Sequence, residues 1–293
     1  MTRVLVVYKK SAYQLHILER RDPHLLKLLR RRQPDAVNIQ RAHDVHQRTL
    51  DAVAHSLRNL GVAFDLIYRA NLKASTRYAL VVSVGGDGTL LQASHVVSDT
   101  PILGVNSDPS RSEAVFCAAT RRTFEALFQR ALGGVLPPAL LYRLRVRLNG
   151  RRLEPLALND VLIAHDDPAT LNRYRLTIGS RHEEQKSSGL WIASAAGSSS
   201  AILAAGGQRL PWTAKRFQYR PRELYEGRLS HNRLVGGALS SRQSVDVTWL
   251  MRQGALWIDG PHAQHPIRFG DRIRIELSPQ HPLRLLGKSR LKT

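Results

Sequence analysis

A single cysteine, Cys117, in 293 residues rules out an internal disulfide and a cysteine-rich metal site. A reducing compartment is therefore expected. No stretch approaches the roughly 18 consecutive apolar residues of a membrane-spanning helix, and the chain enters on Val4-Leu5-Val6-Val7-Tyr8, which reads as a first strand and not as a signal or transit segment. Acidic residues are scarce: 23 Asp and Glu stand against 44 Lys and Arg, a formal charge of +21. That balance suits anionic partners, whether nucleotides, nucleic acid or a lipid surface. The basic residues are spread along the chain, with Arg30-Arg31-Arg32 as a short run, which equally fits a solvated basic surface. Internal repeats are absent, as are low-complexity tracts beyond Ser198-Ser199-Ser200. The length suits about two domains, and the expectation is a soluble, cytoplasmic protein.

The most informative stretch is Val81-Val82-Ser83-Val84-Gly85-Gly86-Asp87-Gly88-Thr89-Leu90-Leu91. It reads as strand, loop and helix. Ala79 to Val84 is β-branched and continuously apolar, as a strand buried on both faces of a parallel sheet should be. Gly85, Gly86 and Gly88 are expected to allow backbone angles and close approaches that any Cβ would forbid, so that amides can face a phosphate chain near a helix N-terminus. Asp87 is out of place in such a loop. A carboxylate there repels a phosphate ligand unless it takes a proton or holds a metal ion. A tight turn with Asp as helix cap is the structural alternative.

In chain order, the first half repeats strand and helix. After Lys9-Lys10-Ser11, the basic segment through Arg32-Gln33-Pro34 carries no clear pattern. From Asp44, the residues Leu50, Val53, Ala54, Leu57 and Leu60 recur at helical spacing, and Gly61 stands where a C-cap belongs. Val62 to Tyr68 reads as a strand, the helix after the glycine loop extends to about Val97, and Pro101 to Val105 is a short buried strand ending at Asn106-Ser107-Asp108-Pro109. Ligands of parallel sheets collect at such carboxyl ends. Thr123 to Leu132 is a helix, and residues 133–138 read as a linker.

Beyond the linker the period becomes two. Leu144 to Leu148 alternates, Asn149-Gly150 is a strong hairpin signal, and a second strand covers Ala157 to Ile163. Further alternating runs lie at 174–178, 190–193, 244–250, 255–258 and 272–277, so this half is mainly antiparallel β. Asn159-Asp160 sets two polar side chains inside an apolar run, which calls for a ligand or for a bulge or edge. Ser187 to Ser200 leads from a strand into a loop of small residues, suited to a ligand lying against the backbone or to a flexible loop. His95 on the helix after the loop reads as a core or surface histidine, His165-Asp166-Asp167 lacks the spaced partners of a metal site, and Arg222-Glu223 reads equally as a phosphate-side pair or a surface ion pair.

Taken together, Gly85-Gly86-Asp87-Gly88-Thr89, Leu158-Asn159-Asp160, Gly189-Leu190 leading to Gly197-Ser198 and Ala205-Gly206-Gly207, then Ile258-Asp259-Gly260 and Gly270-Asp271, resemble the NAD kinase family over nearly the whole chain. The resemblance is nearest to the branch of plant NADH kinases and animal mitochondrial NAD kinase, through residues 104–109, 117–120, Ile163-Ala164-His165 and Pro168-Ala169-Thr170. It implies an α/β, Rossmann-like N-terminal domain over 1–139, a β-rich C-terminal domain over 140–277, a cleft between them, and a last strand over about 278–293 returning to the first domain.

The resemblance also implies the chemistry. Asp87 would be the base that activates an adenosine 2′-hydroxyl, and Gly85, Gly86, Gly88 and Thr89 would hold the donor phosphates. Asn159, Asp160, Ser198 and Ser199, with Asn106, Ser188, Gly189 and Gly197, would bind the dinucleotide. The donor would be ATP carrying Mg²⁺, with polyphosphate as the alternative. No protein metal site, nucleic acid or membrane partner is implied, and a homodimer is expected. Most family members carry Asp where this chain has Ser188, and Thr-Pro-Thr-Gly-Ser-Thr-Ala-Tyr where it has Ser194 to Ala201. Without that carboxylate the bias toward the cationic, oxidised nicotinamide should be lost, so NADH should serve at least as well as NAD. Two other classes stay open: a lipid kinase of the diacylglycerol or sphingosine type, which shares the Gly-Gly-Asp-Gly-Thr loop, and a non-catalytic dinucleotide sensor.

Overall fold

Every residue of the strand Leu80–Gly85 is buried, as its unbroken apolar run requires. The computed structural model describes residues 3–75, 77–228 and 231–288. They fall into two compact units, Met1–Ala139 with Arg284–Thr293, and Leu140–Leu283.

The first unit is built on a parallel sheet in the order Ala63–Tyr68, Arg3–Tyr8, Leu80–Gly85, Ile102–Asn106. Leu50, Val53 and Leu57 from the helix Pro34–Asn59 pack with Val4, Val82, Leu103, Val105, Phe124 and Phe128 into its core. That helix starts ten residues before the apolar spacing becomes visible at Asp44, with proline in its first turn. Upstream, where no element was expected, lie a π-helical turn Tyr13–Glu19 and a helix Pro23–Arg30 whose first N–H groups are capped by the Asp22 carboxylate. These pieces fully bury only Ile17, but Leu25, Leu26, Leu28 and Leu29 form a half-buried apolar face on the helix, a short signal that sequence reasoning missed. Gly61, at φ +65°, ends the long helix as expected. The helix after the glycine loop stops at Ser94, short of Val97, where the Ser94 hydroxyl donates to the Leu91 carbonyl 2.7 Å away.

The second unit is antiparallel. One sheet runs Arg181–Ser187, Asn172–Ile178, Ser244–Trp249, Arg272–Leu285, and the other Gly237–Ser240, Arg216–Arg222, Gly189–Ser194, Asp160–Ala164, Gly254–Ile258, Ala263–Ile267. Tyr174 and Trp249, both fully buried, stack with ring centroids 6.4 Å apart in its core. Asn149 and Gly150 both adopt positive φ, +51° and +82°, as a two-residue hairpin turn demands. The strand expected over Ala157 to Ile163 begins only at Asp160. The amides of residues 158–160 are taken by the side chain of Asp259 and are not available to a neighbouring strand. The final strand, Arg272–Leu285, runs past Leu277 and enters the first unit, where Leu285 pairs with Ile102 in parallel register and Leu286 joins the core.

Candidate active site

The glycine loop lies at the carboxyl end of the central strand of the first unit. None of Gly85, Gly86 and Gly88 has positive φ; Gly86, the helix N-cap, is extended at φ −118° and ψ −167°. The expectation that these glycines supply special backbone angles is therefore corrected: they supply space. A Cβ on Gly85 would collide with the Thr89 hydroxyl and lie 2.8 Å from Thr89 Cβ. On Gly86 it would meet the Ser112 hydroxyl at 3.2 Å, and on Gly88 only an Arg69 guanidinium nitrogen at 3.7 Å. Thr89 is buried, with no partner for its hydroxyl among the described residues, and it closes the turn onto Gly85.

Asp87 opens the helix Asp87–Ser94. Its carboxylate accepts the backbone N–H groups of Val115 at 2.9 Å and Phe116 at 2.8 Å. Burial pushes the carboxyl above its ordinary range; the two N–H donors and the Lys288 charge act the other way, and Glu113 adds to the rise. The result is a fixed carboxylate with a raised proton affinity. Val115 and Phe116 contribute through the main chain, which leaves no trace in residue type. Asn106 is buried in the same unit, its amide donating to the Ser112 carbonyl at 2.7 Å and its Oδ1 accepting the Asp108 N–H at 3.0 Å. Its side chain thus fixes the turn after the strand.

In the second unit the structure gathers most of the remaining candidates. Asp259, at φ +52°, accepts the N–H groups of Leu158 (2.8 Å), Asn159 (2.7 Å) and Asp160 (3.0 Å) with one carboxylate. Gly197 packs against the Asn159 backbone, and its N–H donates to the Ser194 hydroxyl at 3.1 Å, which in turn donates to the Leu158 carbonyl. The Asp160 carboxylate accepts from Asn159 Nδ2 at 2.8 Å and from the Ser200 hydroxyl at 3.0 Å. Burial, reinforced by the Asp259 charge, pushes its pKa up to about 7. The Ser198 hydroxyl is closed off, bonded to the N–H and carbonyl of Leu210 at 2.9 and 3.3 Å. Ser199 is half-buried, and among the described residues its hydroxyl is unpartnered, as is Oδ1 of Asn159.

Ser188 is half-buried and donates its N–H to the Arg222 carbonyl at 2.9 Å. Gly189 follows at φ +127°, where a Cβ would stand 2.8 Å from the Ile163 carbonyl oxygen, so both angle and space demand glycine. The Arg222–Glu223 pair is loose, at 3.9 Å. His165 Nδ1 accepts the Asp167 N–H at 3.0 Å within a turn, and among the described residues no group of three or more side chains is placed to hold a metal ion. Sequence reasoning missed Asp259 and Ser200 as organisers. Asp259 had a signal, the Ile258-Asp259-Gly260 stretch, but its role emerges only from the three amides it collects.

Residues 16–129 match the family model described as the ATP-NAD kinase N-terminal domain. A probable NADH kinase of Oryza sativa subsp. japonica is 36% identical over an alignment that covers 79% of this chain and 78% of that protein. Among solved structures, an NAD kinase from Archaeoglobus fulgidus in complex with ATP is 20% identical, with a TM-score of 0.68 over 99% of this chain and 96% of its own. Yeast NADH kinase complexed with NADH is 13% identical, with a TM-score of 0.72 over 98% of this chain and 84% of its own. The two structures establish a common fold, and the rice protein shares sequence over more than two thirds of both lengths. On these grounds the chain belongs to the NAD kinase family.

Proposed function

We propose that this protein transfers the γ-phosphoryl group of ATP to the adenosine 2′-hydroxyl of NAD or NADH, with Asp87 as the general base. The observation that carries this reading is the Asp87 carboxylate: it is fixed by two backbone N–H groups at the head of a helix, its proton affinity is raised by burial, and side-chain-free loop residues surround it. A ribose hydroxyl is a poor nucleophile at neutral pH, so a positioned base is worth about 10²–10⁴ in rate. Proton transfer from the 2′-oxygen to the Asp87 carboxylate accompanies formation of the new O–P bond, and the bond to the departing nucleoside diphosphate breaks. Family membership supports the reaction, and the ATP and NADH complexes of the two solved relatives support the choice of ligands.

Mg²⁺ belongs to the same proposal. A single carboxylate whose two oxygens each accept one backbone N–H, with no acidic cage among the described residues, fits an ion carried on the donor phosphates and not a dedicated protein site. The ion would neutralise charge on the phosphates. In the second unit, Asn159 Oδ1 and the Ser199 hydroxyl are proposed to take polar groups of the dinucleotide. A cytoplasmic, homo-oligomeric enzyme that uses NADH at least as well as NAD completes the reading.

The test is a coupled assay of purified protein with ATP and either dinucleotide. Asp87→Asn keeps size and hydrogen bonding but loses proton affinity, so turnover should fall about 10²-fold or more while NADH still binds. An Asn variant that retains most of its turnover would remove Asp87 from this role. NADH binding by the wild-type protein without any phosphorylation would make it a sensor, and phosphorylation of diacylglycerol vesicles in place of dinucleotides would make it a lipid kinase.

A further inference from the structure

The carboxyl edge of the parallel sheet in the first unit places two cations beside the glycine loop. Tyr8 pairs with Tyr68 on one side and with Val84 on the other. The residues that follow each of these, Lys9, Arg69 and Gly85, therefore stand side by side at this edge. Ligands of parallel sheets bind at this edge. The Arg69 side chain reaches across to the loop, where its guanidinium comes within 3.7 Å of the point a Gly88 Cβ would occupy, at the N-terminal turn of the helix Asp87–Ser94.

Neither cation has found an anion. Among the described residues, Lys9 and Arg69 make no side-chain hydrogen bond, ion pair or ring contact, although both are half-buried. Burial lowers the pKa of each, and the Arg69 charge lowers that of Lys9 further. Asp108 is the acid that acts on Lys9, yet its carboxylate already accepts the Ser110 hydroxyl at 2.6 Å and faces Arg111 at 3.8 Å. No carboxylate acts on Arg69. The neighbouring Lys10 shows the contrast: it pairs with Glu19 at 2.8 Å and lies 4.9 Å from the centre of the Tyr68 ring. Two adjacent, partly desolvated, unpaired positive charges destabilise a fold. A bound polyanion reverses that effect.

We propose that Arg69 and Lys9 grip the phosphate chain of the phosphoryl donor and form the cationic wall of the glycine loop, an inference that rests on the kinase reading above. Arginine offers a planar fork that matches two phosphate oxygens at once, and lysine a compact charge. The exposed Gly88 keeps a side chain out of the space beside the Arg69 guanidinium at the first turn of the helix, whose dipole also favours phosphate. Lys9 also lines a cavity of about 300 Å³, shared with His46, Ser107 and Arg111.

The test is calorimetric titration of wild type, Arg69→Gln and Lys9→Gln with ATP, with inorganic tripolyphosphate and, separately, with NADH, each protein first checked for a melting temperature no lower than that of wild type. Arg69→Lys serves as a second variant that keeps the charge and loses the fork. Each Gln variant should bind ATP and tripolyphosphate about tenfold or more weakly while NADH affinity stays within about twofold, and Arg69→Lys should fall between. Unchanged ATP affinity in Arg69→Gln, no tripolyphosphate binding by wild type, or equal losses for ATP and NADH would each overturn the assignment. If the losses are as expected but no dinucleotide is phosphorylated, the cationic wall stands and the kinase reading falls. If the enzyme is active and the variants keep the wild-type KM for ATP, the reverse holds.

Discussion

Gly197 sits directly on the backbone of Asn159: a Cβ built on it would stand 2.8 Å from Asn159 Cα and overlap the carbonyl group. The run of small residues after Ser194 is thus a packing surface that sets the height of the Asn159-Asp160 shelf. Gly197→Ala should displace that shelf, costing about 1–3 kcal/mol of stability as overpacking does and weakening NADH binding. Ser199→Ala should leave stability within about 0.5 kcal/mol, since that hydroxyl bonds nothing in the described chain. Urea unfolding and NADH titration check both; wild-type NADH affinity in Gly197→Ala would separate the shelf from the dinucleotide.

The loop glycines should divide by function. Gly85→Ala must collide with Thr89 and should destabilise the protein by about 1–3 kcal/mol. Gly88→Ala meets only the end of the Arg69 side chain and replaces a helical glycine, so it should be neutral to folding or stabilise it by up to about 1 kcal/mol. Its KM for ATP should nevertheless rise, because that space is proposed to take the donor phosphates. A Gly88→Ala enzyme that keeps its wild-type KM for ATP would show that this space goes unused.

Asp160 should make stability pH-dependent. Its folded pKa is about 7 and its unfolded value about 3.9, so between these values the folded state holds one more proton than the unfolded state. Its contribution is complete below about pH 4 and is lost as pH rises through about 7. With roughly 1.4 kcal/mol per unit, the loss has a ceiling of about 4 kcal/mol. Asp160→Asn does not titrate, so the stability of wild type relative to this variant should decline from pH 5 to pH 8 in urea unfolding. A difference that stays flat across that range would contradict the buried acid.

Ser188 should set the balance between the two redox forms. Oxidised nicotinamide carries a positive charge, and an aspartate near it would favour NAD by about 1 kcal/mol or more in a partly desolvated site. Ser188→Asp should therefore shift the ratio of kcat/KM values toward NAD, and the shift should shrink in high salt. An unchanged ratio, or a wild-type enzyme with a strong preference for NAD, would show that selection lies elsewhere.

The parts of the fold that were legible in the sequence are those whose burial is periodic. The strand Leu80–Gly85 is buried throughout and announced itself as an apolar run, and the Asn149-Gly150 turn announced itself by residue type. The helix Pro23–Arg30 does carry an apolar face, Leu25, Leu26, Leu28 and Leu29, but it spans only two turns inside a strongly basic segment and none of the four is fully buried, so sequence reasoning missed it. In the site, Asp87 stood out because a carboxylate among glycines expected to face phosphate needs a chemical reason. Arg69 did not: one arginine in a chain of 44 basic residues becomes distinctive only when the register Tyr8 to Tyr68 brings it beside Lys9. Likewise Asp259 lies about a hundred residues from the amides it collects, a distance no local pattern spans.

The last strand imposes an order of events on synthesis. Residues 1–139 leave the ribosome first, but Leu286 of the same hydrophobic cluster, whose N–H donates to the Ile102 carbonyl, and Lys288, whose charge acts on Asp87, follow after the whole of Leu140–Leu283. At about 5–20 residues per second the first unit waits roughly seven to thirty seconds for its final strand. During that interval the edge of Ile102–Asn106 lacks its partner at Leu285, while the intervening unit has most of its residues and is free to fold. Nascent chains stalled before residue 284 should therefore be sensitive to proteases around the glycine loop, and release of the completed chain should bring protection to that loop last.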